Sequence, residues 1–266
     1  MKPYPLSIHV SSIAFTFVPP EHWQEELLEV GCALRGALGL ALAKACCFYD
    51  AHRTHCDACD KRAHCHYGQS FKTPQNIQLG ASIKVGCVPH LWSLQVDRIG
   101  LQWSAQLHIA GMELAHMTSW QAAIAALPMQ VSVQKTEWHD VSFAYVWQAV
   151  TPALLKLKGK PPRDGEAACK ALQISIVSKS KMIAAMHGVN IPEEMLPEPI
   201  LLGASQHKMQ RFRRHTQSTQ DMSGWLLHVE WPKHTPEAWV PWLSLALALG
   251  VGKQTSFGMG RFLAPV

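Results

Sequence analysis

The chain has 266 residues, 48% of them hydrophobic and 16% charged, which is enough apolar material for one large domain or two small ones and excludes wholesale disorder. A bilayer span is not expected either, because the most apolar late stretch, residues 239–251, is too short to cross one. The formal net charge of +5 and the 15 histidines suit a polyanionic partner without specifying one.

The opening MKPYPLSIHV has no long apolar run, so no secretory leader is expected. With eight cysteines and no such leader, the natural expectation is a cytoplasmic protein whose cysteines are thiols or metal ligands. Residues 6–17 alternate apolar and polar, with a phase slip at Ser11–Ser12 that predicts a bulged strand or two short ones. Pro19 and Pro20 end it. Residues 21–47 then carry a helical pattern, with Leu27, Val30, Leu34, Leu38 and Leu42 on one face. A Cys/His-rich loop follows over residues 50–68. Residues 101–109 alternate like a strand, 111–127 read as a helix, and 131–133 and 141–147 read as strands.

After Pro152 the composition changes to a basic, proline-bearing connector with Lys156, Lys158, Lys160, Pro161, Pro162 and Arg163. Residues 172–177 read as a strand and 191–199 as a Pro-rich excursion. Residues 203–216 read as a basic helix, 224–231 as a strand, 239–249 as a helix and 261–263 as a short last strand. Each half therefore predicts a ferredoxin-like unit, giving an α+β fold of two tandem domains, residues 1–150 and 151–266.

Three sequence features carry chemistry. The first is GVGKQTSFGMG, with glycines at 250, 252, 258 and 260 directly after an apolar helix. Glycines permit positive φ and leave backbone N–H groups uncovered, so the loop can press on a phosphate backbone, with Lys253, Gln254, Thr255 and Ser256 as further donors. It is not a dinucleotide fingerprint, since its glycines follow a helix, nor a P-loop, since no GK[ST] ends it. A plain glycine-rich turn is the alternative. The second feature is the basic run 207–215. On the expected helix, His207, Arg211 and Arg214 share a side while Arg213 projects elsewhere. The third is Arg35, the one charge in CALRGALGLALA, which calls for a carboxylate or phosphate partner.

The cysteine loop has two readings. Cys56-x2-Cys59-x5-Cys65, with Cys47 as a fourth thiolate, has zinc spacing, and a zinc ion would be structural. His52, His55, His64 and His66 are alternative ligands or could serve acid–base chemistry on RNA, and the plain alternative is a solvated polar loop. The ten tryptophans read as core rather than as base-stacking platforms.

The stretch LALALGVGKQTSFGMGRF resembles the G-φ-G-x5-G-φ-G loop of the RAMP superfamily, closest to the endoribonucleases that cut precursor CRISPR RNA at its repeats. The helix containing LRGALG, residues 34–39, and the following cysteines resemble a subset of that family. The resemblance implies two ferredoxin-like (RRM-like) domains. It also implies metal-independent cleavage by 2′-OH attack, leaving a 2′,3′-cyclic phosphate and a 5′-OH, with no cofactor needed for catalysis. The partner implied is a CRISPR repeat RNA hairpin or the mature crRNA, together with other effector subunits; no membrane is involved. Catalytic roles fall to Arg35, Arg211 and a histidine among His22, His207 and His215, since no histidine sits within the LRGALG helix. RNA contacts fall to Lys208, Arg213, Arg214 and the loop residues Gly250, Gly252, Lys253, Gln254, Thr255, Ser256, Gly258 and Gly260. The alternative within the same superfamily is a non-catalytic subunit that only holds guide RNA, and a further alternative is a zinc-dependent adaptor built on the cysteine loop.

Overall fold

In a computed structural model, the structure describes residues 10–21, 23, 27–47, 56, 59–61, 64–72, 75–79, 83–87, 90–110, 114–139, 143–187, 189–213 and 218–264. The chain divides into two compact units, Ser11–His139 and, from Asp140 onward, a second unit.

In the first unit, β1 (Val10–Phe17) leads to α1 (Leu27–Cys46). Val10, Ser11, Ser12 and Ile13 are buried in succession, the mark of the expected phase slip. Val30, Leu34, Leu38 and Leu42, four residues apart, are fully buried, so one stripe of α1 faces the sheet. A five-residue helix, α2 (His66–Ser70), and a separate hairpin of β2 (Gln75–Leu79) and β3 (Ile83–Cys87) follow. The unit continues with β4 (Trp92–Ile99), β5 (Gln102–Ala110), α3 (Leu114–Ala125) and β6 (Val131–His139). Its four-stranded sheet runs β4-β5-β1-β6, the ferredoxin-like order. Phe15, Leu34, Leu38, Trp92 and Trp120 share its core.

The second unit repeats the plan. It comprises β7 (Val146–Ala149), α4 (Gly165–His187), β8 (Ile200–Arg213), β9 (Ser218–Glu230), α5 (Val240–Leu249) and β10 (Phe262–Leu263). The sheet order is β10-β7-β9-β8, with all three pairings antiparallel. Trp147 packs edge-on to Trp231 at 5.3 Å and tilts against Phe262 at 5.8 Å. Trp231, Trp239 and Trp242 are buried, as a packing role demands. No helix of the described residues is long and apolar enough to cross a membrane.

Three expectations are corrected. Residues 172–177 are not a strand but the middle of α4. There Ala168, Leu172, Ile176, Ser180 and Ala184 are buried at helical spacing, while Ile174, which alternation would bury, is 42% exposed. Residues 203–213 are not a basic helix but most of β8, paired with β9 from Ile200↔Glu230 to Arg213↔Ser218. A strand can carry this polar sequence because β8 is an edge strand, open to water on one side. Finally, β7 pairs with β9 and β10, so residues 146–149 belong with the later half and not with the earlier one.

Candidate nucleic-acid interface

Helix α5 is apolar all round and buried from Trp242 to Leu249. It stops at Gly250, whose φ of +71° turns the chain away. The terminal carbonyls meet a cation: Lys179 of α4 donates from Nζ to Gly250 O at 3.0 Å and Leu249 O at 3.5 Å. Burial lowers the Lys179 pKa to about 8.

The loop beyond is folded against the connector that follows β7. Lys253 N donates to Leu154 O at 3.0 Å and Gly260 N to Pro152 O at 3.1 Å, while Val251 N closes the loop on Gly260 O at 2.8 Å. Gly252, Gly258 and Gly260 all have positive φ. A Cβ on Gly260 would overlap Val251 O, and one on Gly252 would lie 2.9 Å from Leu154 O. The glycines are therefore required first by the loop's own close packing. Phe257, Gly258 and Met259 also direct their N–H groups inward, to Gln254 O, Thr255 O and Gln254 O. Thr255 and Ser256 form a buried 3-10 turn, so of the four tip donors expected, Lys253 is the exposed one. Gln254 holds the left-handed conformation at φ +61° and is half-buried.

The basic run is displayed on the β8–β9 hairpin. Ser205, Gln206, His207, Lys208 and Gln210 are exposed. His207 Nε2 lies 3.2 Å from Ser205 Oγ, and Gln206 Nε2 donates to Ser223 Oγ at 2.9 Å. Over residues 203–213 the chain is strand, so the helical spacing expected to group His207 with Arg211 on one side of a helix does not apply there. Arg211 and Arg213 hold positions on β8 opposite Gln220 and Ser218. Arg214, His215 and His22 lie outside the described residues, as do His52 and His55.

Arg35, half-buried on α1, lies against two aromatic rings. Its Cζ stands 5.2 Å from the Phe71 ring centroid and 5.9 Å from that of Trp92. Phe71 in turn lies against Gly39 of the same helix, where a Cβ would approach its ring to 2.9 Å. The LRGALG sequence thus presents a guanidinium and a bare glycine to one aromatic platform.

The thiols gather between α1 and α2. Cys65 is buried, while Cys47, Cys56 and Cys59 are half-buried. Cys59 N donates to Cys56 O at 3.3 Å, turning the C-x2-C segment back on itself. Burial pushes the Cys56 thiol up, Lys72 pulls it down, and Cys65, Cys47 and Cys59 each push it further up. Among the described residues, no group of three metal-ligating side chains is poised around one point.

One polar cluster escaped sequence reading. His66 Nδ1 lies 2.6 Å from Ser119 Oγ, and the rings of His66 and His116 contact edge-on at 3.9 Å between centroids. His116 and Ser119 lie on α3, and Ser119 comes 53 residues after His66, so nothing in the local pattern joins them.

A family model described as an N-terminal domain, AF_1859_N, matches residues 12–92. No curated protein matches the chain. Among solved structures, the chain is similar over nearly its whole length to tandem ferredoxin-like proteins. A Cas6 product complex shares 14% identity and a TM-score of 0.53, covering 97% of this chain and 100% of that one. A Cas6 substrate-mimic complex shares 16% identity at a TM-score of 0.51, covering 96% and 99%. A Cas6-related protein from Pyrococcus furiosus shares 10% identity at a TM-score of 0.51, covering 97% and 98%. The class the fold defines is a protein of two tandem ferredoxin-like domains. More particularly, the fold is that of the Cas6 CRISPR-associated structures.

Proposed function

We propose that this chain is an endoribonuclease that binds CRISPR repeat RNA and cuts the precursor transcript. The observation that carries this reading is the whole-length likeness to Cas6 structures that include product and substrate-mimic complexes. The exposed polar strand β8, with Lys208, and the exposed Lys253 of the glycine loop support it as places for phosphate. Arg213 and Arg214 extend the same basic run.

The reaction we assign is a metal-independent transesterification. A base takes the proton of a ribose 2′-OH, and the oxygen attacks the adjacent phosphorus. The bond to the 5′-oxygen breaks, and an acid returns a proton to that oxygen. The products are a 2′,3′-cyclic phosphate and a 5′-hydroxyl, with no water consumed. Arg35 and Arg211 are proposed to stabilise the charge developing on phosphorus oxygens. His22, His207 and His215 are the acid–base residues to test, with His66 and His116 added for their contact with Ser119.

The test is incubation with repeat RNA and no added divalent cation, followed by analysis of product ends. Cleavage to a cyclic phosphate and a 5′-hydroxyl is expected. A single 2′-deoxy substitution just 5′ of the cut should abolish cleavage and preserve binding. Continued cutting of the deoxy substrate would overturn the mechanism, and tight binding without any cleavage would identify a subunit that only holds guide RNA.

A further inference from the structure

We infer that Lys179 is a positioning residue for RNA binding: it fixes the point where the chain leaves α5 and so holds the exposed Lys253 of the glycine loop where a phosphate can reach it. This role rests on the RNA-binding reading proposed above.

Lys179 stands where an apolar side chain would be expected. It comes three residues after Ile176 and four before Ile183, on the buried face of α4. The cleft it occupies is lined by Ile176, Ile183, Trp242, Leu245 and Leu249. Enclosing an ammonium in such surroundings costs stability unless its N–H groups are used. Here they serve the C-terminus of α5, where a helix leaves its last carbonyls without partners of its own. Nζ donates to Gly250 O at 3.0 Å and to Leu249 O at 3.5 Å. A methionine would fill the same space but would deprive both carbonyls of this donor.

The amine grips the first residue of the loop. A Cβ added to Gly250 would lie 3.0 Å from Gly260 O and 3.3 Å from Met259 O, so the returning end of the loop is packed against its bare α-carbon. Gly250 is thus held by Lys179 through its carbonyl and by the returning chain through its α-carbon. From there to Lys253 every residue is anchored. Val251 N donates to Gly260 O at 2.8 Å, Gly252 is pressed on Leu154, and Lys253 N donates to Leu154 O at 3.0 Å. A displacement of Gly250 would be passed on to Lys253, because packing this close has no slack to absorb it. Both helices, the loop and Leu154 belong to the second unit. A cation fixed before its ligand arrives loses less freedom on binding, and the exposed Lys253 gains affinity in that way.

Repeat-RNA binding is measured for wild type, Lys179→Met, Lys253→Ala and the double variant, together with amide hydrogen exchange of each protein without RNA. Lys253→Ala should weaken binding by roughly tenfold at about 0.1 M salt, the loss of about one phosphate contact. Lys179→Met should weaken it by a comparable factor. The double variant should bind no more weakly than Lys253→Ala alone, because the two residues act through one contact. Lys179→Arg, which keeps a cationic donor, should recover part of the loss. Without RNA, the amides of Val251, Lys253 and Gly260 should exchange faster in Lys179→Met, while those of the β8–β9 pairing keep their protection. Wild-type affinity in a folded Lys179→Met would overturn the positioning role, as would losses that multiply in the double variant or unchanged exchange at the three loop amides. If Lys179→Met does not fold, Lys179→Gln takes its place in the same set of measurements. Failure of wild type itself to bind repeat RNA would instead sink the RNA-binding reading, with the exchange data still deciding whether Lys179 orders the loop.

Discussion

Arg35 is held over the faces of Phe71 and Trp92, so its guanidinium is oriented before any ligand arrives. A pre-aimed cation acts mainly on a transition state, where charge develops, and less on ground-state affinity. Arg35→Ala is accordingly expected to slow single-turnover cleavage of repeat RNA at saturating protein by ~10²-fold. Its effect on the RNA dissociation constant should be far smaller, and an unchanged saturated rate would remove Arg35 from the proposed site. Lys179 makes a prediction of a different kind. Its folded pKa of about 8 lies below its usual 10.5, so the unfolded chain binds more protons between those values. Below pH 8 the folded state carries the full cost of a desolvated ammonium, and stability from this group rises as pH climbs through 8 toward 10.5. Denaturant titrations should show wild type gaining on Lys179→Met over that window, by on the order of 1–3 kcal/mol. A difference that is flat with pH would contradict the burial of this amine.

At the scale of elements, two glycines separate packing from permissiveness. Gly36 lies exposed in the middle of α1, and a methyl group added there would meet nothing within 4 Å, so Gly36→Ala should stabilise the fold by about 0.5–1 kcal/mol through helix propensity. Gly260→Ala should do the reverse and disrupt the loop, because its methyl group would overlap Val251 O; paired thermal melts of the two variants check both signs. Gly252→Ala is a poor probe of phosphate contact for the same reason, whereas Lys253→Ala leaves the loop's packing intact. The elements differ in how legible they were. Helices α1 and α5 and the glycine loop could be read directly, since an apolar stripe or an apolar run bounded by glycine has one local solution. Residues 172–177 misled because Leu172, Ile174 and Ile176 alternate, and only the neighbours Ala168 and Ala184 restore the helical period. The run 207–213 misled because arginines suit an exposed helix and an edge strand equally well. Pairing with β9 decides between them, and that partner lies beyond any local window. Likewise, Arg35 could be recognised as needing a partner, but its aromatic partners come from distant parts of the chain, Phe71 after α2 and Trp92 on β4.

At the scale of the whole molecule, repetition of one plan was legible from the order of elements, even with one helix and one strand exchanged. The boundary was not, because membership of β7 is set by its sheet partners rather than by the proline-rich connector after it. If RNA is held by phosphate contacts, affinity should fall with salt. Lys208→Ala and Arg213→Ala should each reduce the slope of log affinity against log salt by roughly one counterion, read from binding titrations at several ionic strengths. Equal slopes in wild type and both variants would place the RNA elsewhere. The position of β7 has a further consequence, for the time course of synthesis. The first unit has all four strands of its sheet in hand once residue 139 is made, and it can fold while translation continues. Strand β7 emerges next and must wait between two absent neighbours, β9 and β10, until residues 218–230 and 262–263 follow. During that interval both of its edges are open to strands of other nascent chains. Refolding should therefore resolve into a fast phase from the first unit and a slow, concentration-sensitive phase from the second.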